Sequence, residues 1–313
     1  MKSISVVIPN YNGKQLLEKN LPAVFAALKN VLDYEVIVAD DASIDDSVKY
    51  IESNWQNVFL VKNTINGGFS KNINSGFKVA SKELVLALNS DVLLSEDYFV
   101  DQFKYFESPE TFGVMGNIYN NGKLIDAAKY PVWKAGKLVT TLNVEILSEN
   151  REWIPTLFLS GANALMERKK LMQLNGMDEI YSPFYMEDVD LSVRAWRMGW
   201  KCYYDPKSNC NHIISSTIDS NNKKSFVKFI SKRNKLIFHH IHLSGYRRLF
   251  WQTEIVFNLL YRWLSFSCDY YKIYVEFKSQ TESKNKRNEF PFSLQTVTNQ
   301  ILTFYKALKI KLF

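Results

Sequence analysis

The sequence predicts an α/β fold: a mostly parallel sheet with helices on both faces, followed by a basic helical tail. Three observations carry that prediction. Short apolar runs alternate with amphipathic segments through the first ninety residues. The runs are continuously apolar rather than alternating, as in strands buried on both faces. From Lys223 onward the composition turns basic and aromatic.

The elements follow in order. "SISVVIP" (Ser3–Pro9) reads as the first strand; its apolar run is too short for a signal peptide and ends at Pro9-Asn10. A helix carries Leu16, Leu17, Leu21, Val24, Phe25 and Leu28 at helical spacing. "YEVIVAD" (Tyr34–Asp40) is the second strand. Ser43 is placed to cap the next helix, with Asp46 three residues on. "NVFLVKN" (Asn57–Asn63) is the third strand, a helix spans about Ser70 to Ala80, and "ELVLAL" (Glu83–Leu88) is the fourth strand. The middle is less regular: "FGVMGNIY", "IPTLFLSGANALM" and "KCYYD" read as strands, and "EDVDLSVRAWRMG" as a helix. Between 254 and 276, polar residues fall at Glu254, Asn258, Arg262, Ser265, Asp269, Lys272 and Glu276, a narrow stripe on one otherwise apolar helix. "NQILTFYKALKIKLF" reads as a second, basic amphipathic segment. The expected organisation is one α/β domain over 1–245, in two parts (1–110 and 111–245), then a helical region over 246–313.

Composition narrows the function classes. Hydrophobic residues make up 46% and charged residues 23%, so the chain can bury a sizeable core. Cys202, Cys210 and Cys268 have no CxxC spacing, which argues against a disulfide framework or zinc knuckle and for reduced thiols in a cytoplasmic protein. No apolar run reaches eighteen residues, so no transmembrane helix is expected. Residues 223–313 hold 17 Lys and Arg against 5 Asp and Glu, whereas 1–222 hold 22 against 27. A basic tail on a mildly acidic body points to an anionic surface as partner.

Ligands of parallel α/β sheets bind outside the carboxyl ends of the strands. Four such ends stand out: "PNYN", "DDAS", "NTINGG" and "NSD". Asp40 and Asp41 suit hydrogen bonds to a base or ribose, or equally a helix-dipole cluster. "NGGFSKNINSG" puts glycines before a helix, where backbone N–H groups can approach phosphate, or where the chain simply turns. It matches neither GxGxxG nor GxxxxGK[ST]. Glu187, Asp188 and Asp190 open a helix; a pocketed carboxylate there would serve as a general base, and a solvated acidic helix start is the alternative. His212 is a lone histidine, structural or metal-binding.

Taken in order, these pieces resemble family 2 glycosyltransferases, inverting enzymes of the GT-A fold. "SVVIPNYNG" is similar to the family's first strand, "VIVADDASIDDS" to its "DDxSxD" signature, "NGGFSKNINSG" to an "NxGFxxxxNxG" block, and "LNSDV" to the DXD position. "SGANALMERK", "FYMEDVDLSVRAWRMGW", "NHIISST" and "KRNKL" resemble the later blocks, so the likeness spans about residues 1–240. The resemblance implies that Pro9 and Tyr11 line the base and that Asp41 bonds it beside Asp40. It implies that Asn66, Gly67, Phe69, Lys71 and Asn72 border the nucleotide and diphosphate, with Asn89 and Ser90 alongside. Asp91 would hold a divalent cation, Mn²⁺ or Mg²⁺, with His212 completing the site. Asp188 would be the catalytic base and Glu187 an orienting neighbour. Asn89 stands where DXD has its first carboxylate, which leaves Asp91 as the charged ligand on that loop.

The expected partners are a nucleotide-diphosphate sugar and a glycan or lipid-linked acceptor of bacterial surface polysaccharide synthesis, with rhamnosyl or galactofuranosyl transfer favoured by the blocks. Residues 246–313 would attach to the inner face of the cytoplasmic membrane, with Lys306, Lys309 and Lys311 on anionic lipid; packing on the domain or a homodimer would use the same faces. Nucleic acid is disfavoured, because the basic residues are interleaved with aliphatics. A nucleotidyltransferase would need a glycine-rich basic loop after strand one, which "PNYNGKQ" does not supply. A non-catalytic nucleotide-sugar-binding protein is the third reading.

Overall fold

The computed structural model describes residues 2–146, 152–212, 223–264, 269–282, 290–306 and 308–313. Four parallel strands form as the apolar runs require: β1 (Ile4–Asn10), β2 (Tyr34–Asp40), β3 (Val58–Lys62) and β4 (Leu84–Leu88). The helices between them are α1 (Lys14–Leu28), α2 (Ser47–Asn54) and α3 (Phe69–Val79). α2 begins later than Ser43 because that serine is spent elsewhere: its hydroxyl donates to Asp40 Oδ2 at 2.6 Å. Beyond β4 come β5 (Val92–Leu94), β6 (Thr111–Asn120), β7 (Lys123–Asp126), β8 (Ala128–Lys134) and β9 (Lys137–Ile146). The run read as one strand from Ile154 is split into β10 (Ile154–Pro155) and β11 (Asn163–Glu167). α4 (Arg168–Gln173), α5 (Glu187–Arg197) and β12 (Lys201–His212) follow.

The main sheet runs β10-β12-β6-β11-β4-β1-β2-β3, with β5 on β12 and β7 on β6. β1 pairs parallel with both β2 and β4, so the order reverses there and a crevice opens at their carboxyl ends. β11 lies antiparallel between β4 and β6, and β12 lies parallel to β6. Along the strands neighbours alternate between two cores, one behind α1 (Val6, Ile8, Val36, Val38) and one behind α3 and α5 (Val7, Ile37, Val85, Ala87).

The tail comprises α6 (Lys224–His242), α7 (Gly245–Leu264), α8 (Asp269–Glu282), α9 (Leu294–Lys306) and β13 (Ile310–Leu312). The single helix expected over 254–276 is therefore two, α7 and α8; Ser265, Phe266 and Cys268 lie outside the described residues, as do the last five residues of "NHIISST". The final segment is also corrected. α9 buries Leu294, Val297, Ile301 and Tyr305 in the same core as α3 and α5, and β13 pairs antiparallel with β9. Lys311 reaches Glu145 at 3.1 Å, so α9 and β13 pack on the domain and the α9 apolar face is covered, while Leu312 and Phe313 remain exposed. Among the described residues no helix is long and apolar enough to cross a membrane.

Candidate active site

The strand ends are joined by a buried polar lattice. Asn10, at the end of β1, donates to Asp40 Oδ2 (2.8 Å), and its carbonyl accepts from Asn72 Nδ2 (3.2 Å). Asp40 also accepts the Ser43 N–H at 2.9 Å, closing the turn after β2. Asp41 faces the other way. Its carboxylate accepts the Gly67 N–H at 3.0 and 3.1 Å, the Gly68 N–H at 3.0 Å and Asn63 Nδ2 at 3.4 Å. Both oxygens are thus engaged in holding the Gly67-Gly68 loop, where the resemblance implied contact with a base. Asn72, 3% exposed, is likewise a lattice member, accepting from Asn63 at 2.9 Å. Pro9 is buried in β1; Tyr11 and Phe69 are half-buried, and Asn66 and Lys71 are exposed around the loop. Gly68 must be glycine: its φ is +81°, and a β-carbon would meet Pro183 Cα at 3.0 Å.

The end of β4 is where distant segments meet. The Asn89 N–H donates to the Ala162 carbonyl (3.2 Å), and the Ser90 carbonyl accepts from Asn20 (2.6 Å). β5 then pairs antiparallel with the end of β12, placing Val92 opposite His212. That register brings His212 Nε2 to 2.9 Å from Asp91 Oδ2. The contact lacks hydrogen-bond geometry, and Nε2 has no such partner among the described residues. Asn10 Oδ1 and Asn89 Oδ1 are also buried acceptors without partners there. Two ligand atoms close together but not aimed at each other suit a shared cation. The residues fit a divalent ion incompletely, since no three His, Cys, Asp or Glu groups converge among the described residues. A diphosphate would have to supply the remaining oxygens.

Across the crevice stands the start of α5. Asp188 is half-buried and accepts N–H donors from Gly161 (3.2 Å) and Val189 (2.8 Å). Burial raises its pKa, opposed by these two donors and by the charge of Lys129. Lys129 is a buried β8 residue bonded to Asp126 and Asn143; sequence reasoning missed it, and a lone lysine in an apolar strand was the signal. Glu187 is 7% exposed, and its Oε2 has no partner among the described residues. Burial, then the neighbouring Asp188 charge, raises its pKa. Asp190 is different. It is 1% exposed and accepts from Arg194 Nε (2.6 Å) and Tyr181 Oη (3.0 Å), and it meets His242 Nε2 at 2.8 Å. Burial opposes its ionisation, but Arg194 and His242 outweigh burial and hold its carboxyl well below the usual range. It anchors α5, leaving Glu187 and Asp188 at the crevice. A β-carbon on Gly161 would lie 3.5 Å from Asp188 Cβ and 3.7 Å from the Phe69 ring, so Asp188, "SGAN" and the glycine loop adjoin.

A cavity of about 310 Å³ lies elsewhere, between α6, α7 and α8, lined by Lys232, Lys235, Trp251 and Tyr270 among others. None of its lining residues belongs to the crevice.

Residues 5–174, more than half of the chain, match the model of glycosyl transferase family 2. The chain belongs to that family. Among its relatives is the N-acetylglucosaminyl-diphospho-decaprenol L-rhamnosyltransferase of Mycobacterium tuberculosis, 25% identical over 236 residues covering 67% of this chain and 75% of that protein. The poly(ribitol-phosphate) beta-glucosyltransferase of Bacillus spizizenii is 24% identical over 57% of this chain and 32% of its own length. The chain spans about a third to a half of the first curated relatives it matches. In structure it is similar to GalNAc-T7 with UDP, GalNAc and Mn²⁺ (TM-score 0.67, 16% identity, 98% of this chain and 58% of that one). It is also similar to Staphylococcus aureus TarS 1–349 with UDP-GlcNAc (TM-score 0.53, 18% identity, 99% and 82%). These likenesses establish the GT-A glycosyltransferase fold.

Proposed function

We propose that this glycosyltransferase moves a sugar from a nucleoside-diphosphate sugar to a hydroxyl of a glycan or lipid-linked acceptor, by one inverting displacement. The observation that carries the reading is at the carboxyl end of β4, where Asp91 meets His212 and where the Gly161-Ala162 segment bonds Asn89 on one side and Asp188 on the other. In the reaction, Asp188 takes the acceptor hydroxyl proton, the oxygen forms its bond to the anomeric carbon, and the bond to the phosphate oxygen breaks on the far face with its electron pair leaving on the diphosphate. Asp188 suits the base because two N–H donors and Lys129 favour its charged form, while its burial makes that form more basic. Glu187, with burial and Asp188 both raising its pKa, is the carboxyl that keeps its proton and orients the acceptor. Asp91 and His212, close together without a hydrogen bond between them, would hold a divalent ion, which when bound supplies Lewis-acid stabilisation of the leaving diphosphate. The Gly67–Phe69 loop, held by Asp41, would border the nucleotide. Relatives named for poly(ribitol-phosphate) and diphospho-decaprenol substrates support a phosphate-bearing glycan or lipid-linked acceptor in cell-surface polymer synthesis. Purified protein with Mn²⁺ and a panel of UDP-, GDP- and dTDP-sugars tests this: donor-dependent transfer is expected, and pyrophosphate release from a nucleoside triphosphate instead would revive the nucleotidyltransferase reading.

The same proposal places the protein at the inner face of the cytoplasmic membrane through the outward side of α7. Tyr246, Leu249, Phe250, Val256, Phe257, Leu260 and Tyr261 recur there at helical spacing and are between 52% and 72% exposed. A stripe that size with tyrosines at its ends, in a region with 17 Lys and Arg against 5 Asp and Glu, suits an anionic interface. Cutting at residue 245 would remove core residues such as Trp251 and Ile255, so point changes are the proper test. F257E/L260E should lose flotation with phosphatidylglycerol vesicles by about tenfold or more. Unchanged flotation, or dimer loss in its place, would sink the membrane role.

A further inference from the structure

We propose that Asn234 is a positioning residue for sugar transfer: its side-chain amide, by holding three backbone carbonyls of the turn before α5, fixes where Glu187 and Asp188 stand. The inference rests on the reading of Asp188 as base. Asn234 is fully buried on α6, and its Nδ2 donates to the carbonyls of Tyr181 (2.6 Å), Phe184 (2.9 Å) and Tyr185 (2.8 Å). Two hydrogens serve three acceptors, so one is shared. The amide cannot be turned round, because Oδ1 accepts from Arg233 Nε at 3.0 Å. Arg233 adds a bond from Nη2 to the Ser182 carbonyl and lies 3.6 Å from Glu276 of α8.

The turn needs this support. Tyr185 and Met186 both adopt left-handed backbone, with φ of +73° and +80°. Neither is glycine, and consecutive left-handed residues persist only when their surroundings enforce them. Met186 is the N-cap of α5 and offers no capping side chain. On the opposite side, the Pro183 carbonyl accepts the Phe69 N–H at 3.0 Å. The turn is therefore pinned between the glycine loop and α6. Downstream, Asp190 is fixed by Arg194 and His242. Glu187 and Asp188 lie between the two anchors, so their placement follows from how well the upstream one holds.

The test uses full-length N234S, which keeps one donor, and N234A, which keeps none. UDP binding and thermal unfolding are measured beside nucleoside-diphosphate release across pH 5–9, from whichever UDP-, GDP- or dTDP-sugar the unsubstituted protein turns over fastest. The expected result is a kcat lower by about tenfold or more with donor KM within about twofold, and a displaced acid limb of the kcat profile. If N234A does not fold, N234S decides. Lower thermal stability with kcat and pH profile unchanged would overturn the inference. D188N run in parallel separates the two ideas: full activity in D188N overturns the base and this inference together, whereas an inactive D188N beside an unchanged N234S profile overturns the positioning role alone.

Discussion

Asp41→Asn probes what the acidic pair after β2 does. In the folded protein the Asp41 carboxylate collects the N–H groups of Gly67 and Gly68, together with Asn63 Nδ2. Exchanging one oxygen for an NH₂ group removes the charge and sets a donor against a backbone donor. A charge-assisted hydrogen bond is worth about 1.5–3 kcal/mol, so the loss is roughly 2 kcal/mol. Because the loop is local, that energy should appear as faster amide exchange at Gly67 and Gly68 and as weaker nucleotide binding. At about 1.4 kcal/mol per decade the affinity loss is roughly thirtyfold at most. Titration calorimetry with UDP, GDP and dTDP reads it, and the weakening should be the same for each base. A loss confined to one base, with loop exchange unchanged, would refute the loop-holding account and return Asp41 to direct contact with the base.

Further outcomes follow from the buried groups and from the proposed pairing of Asp91 and His212 on a cation. D190N leaves Arg194 with a neutral partner in a buried place and should cost about 3–5 kcal/mol in urea unfolding; a loss below about 1 kcal/mol would contradict the anchoring role. Acid should weaken the fold through His239, which burial pushes down to about 4 and which lies 3.0 Å from the Leu138 carbonyl. Its folded pKa is below its unfolded value, so its contribution is present above pH ~6.5 and is lost as pH falls toward ~4, in total about 3 kcal/mol. H239Q should flatten that part of the stability profile, and an unaltered slope would count against it. Mn²⁺ should bind weakly to the protein alone and more tightly with UDP, and H212A should reduce the UDP-dependent binding seen by electron paramagnetic resonance. Tight Mn²⁺ binding without nucleotide would contradict a site completed by diphosphate.

The parallel half of the fold was legible because strands buried on both faces must be apolar along their length, and β1 to β4 are. Their ends were legible because Asn, Asp and Gly cluster where strands meet the crevice. The resemblance put names to those ends, yet it could not say what each side chain touches. Asp40 turns out to be bonded to Asn10 and Ser43, Asp41 to the glycine loop and Asn63, and Asn72 to Asn63 and the Asn10 carbonyl. His212 reaches Asp91 through the β5–β12 register, a long-range pairing that local pattern does not specify. The roles of Asn234, inside "KRNKL", and of His242 and Lys129 were not legible for a related reason: one polar residue on an amphipathic element reads the same whether it meets water or a buried polar group. The tail misled through periodicity, which describes an apolar face without naming what covers it. α9 spends that face on the common core, while α7 leaves its outer side exposed.

In the proposed reaction Asp188 takes the acceptor proton, while the glycine loop that would border the nucleotide is held by Asp41. Steady-state transfer by D188N, measured beside its UDP affinity, tests this most directly. The substitution should lower kcat by about 10²–10⁴-fold and leave UDP affinity within about threefold. Full transfer activity in D188N would contradict it.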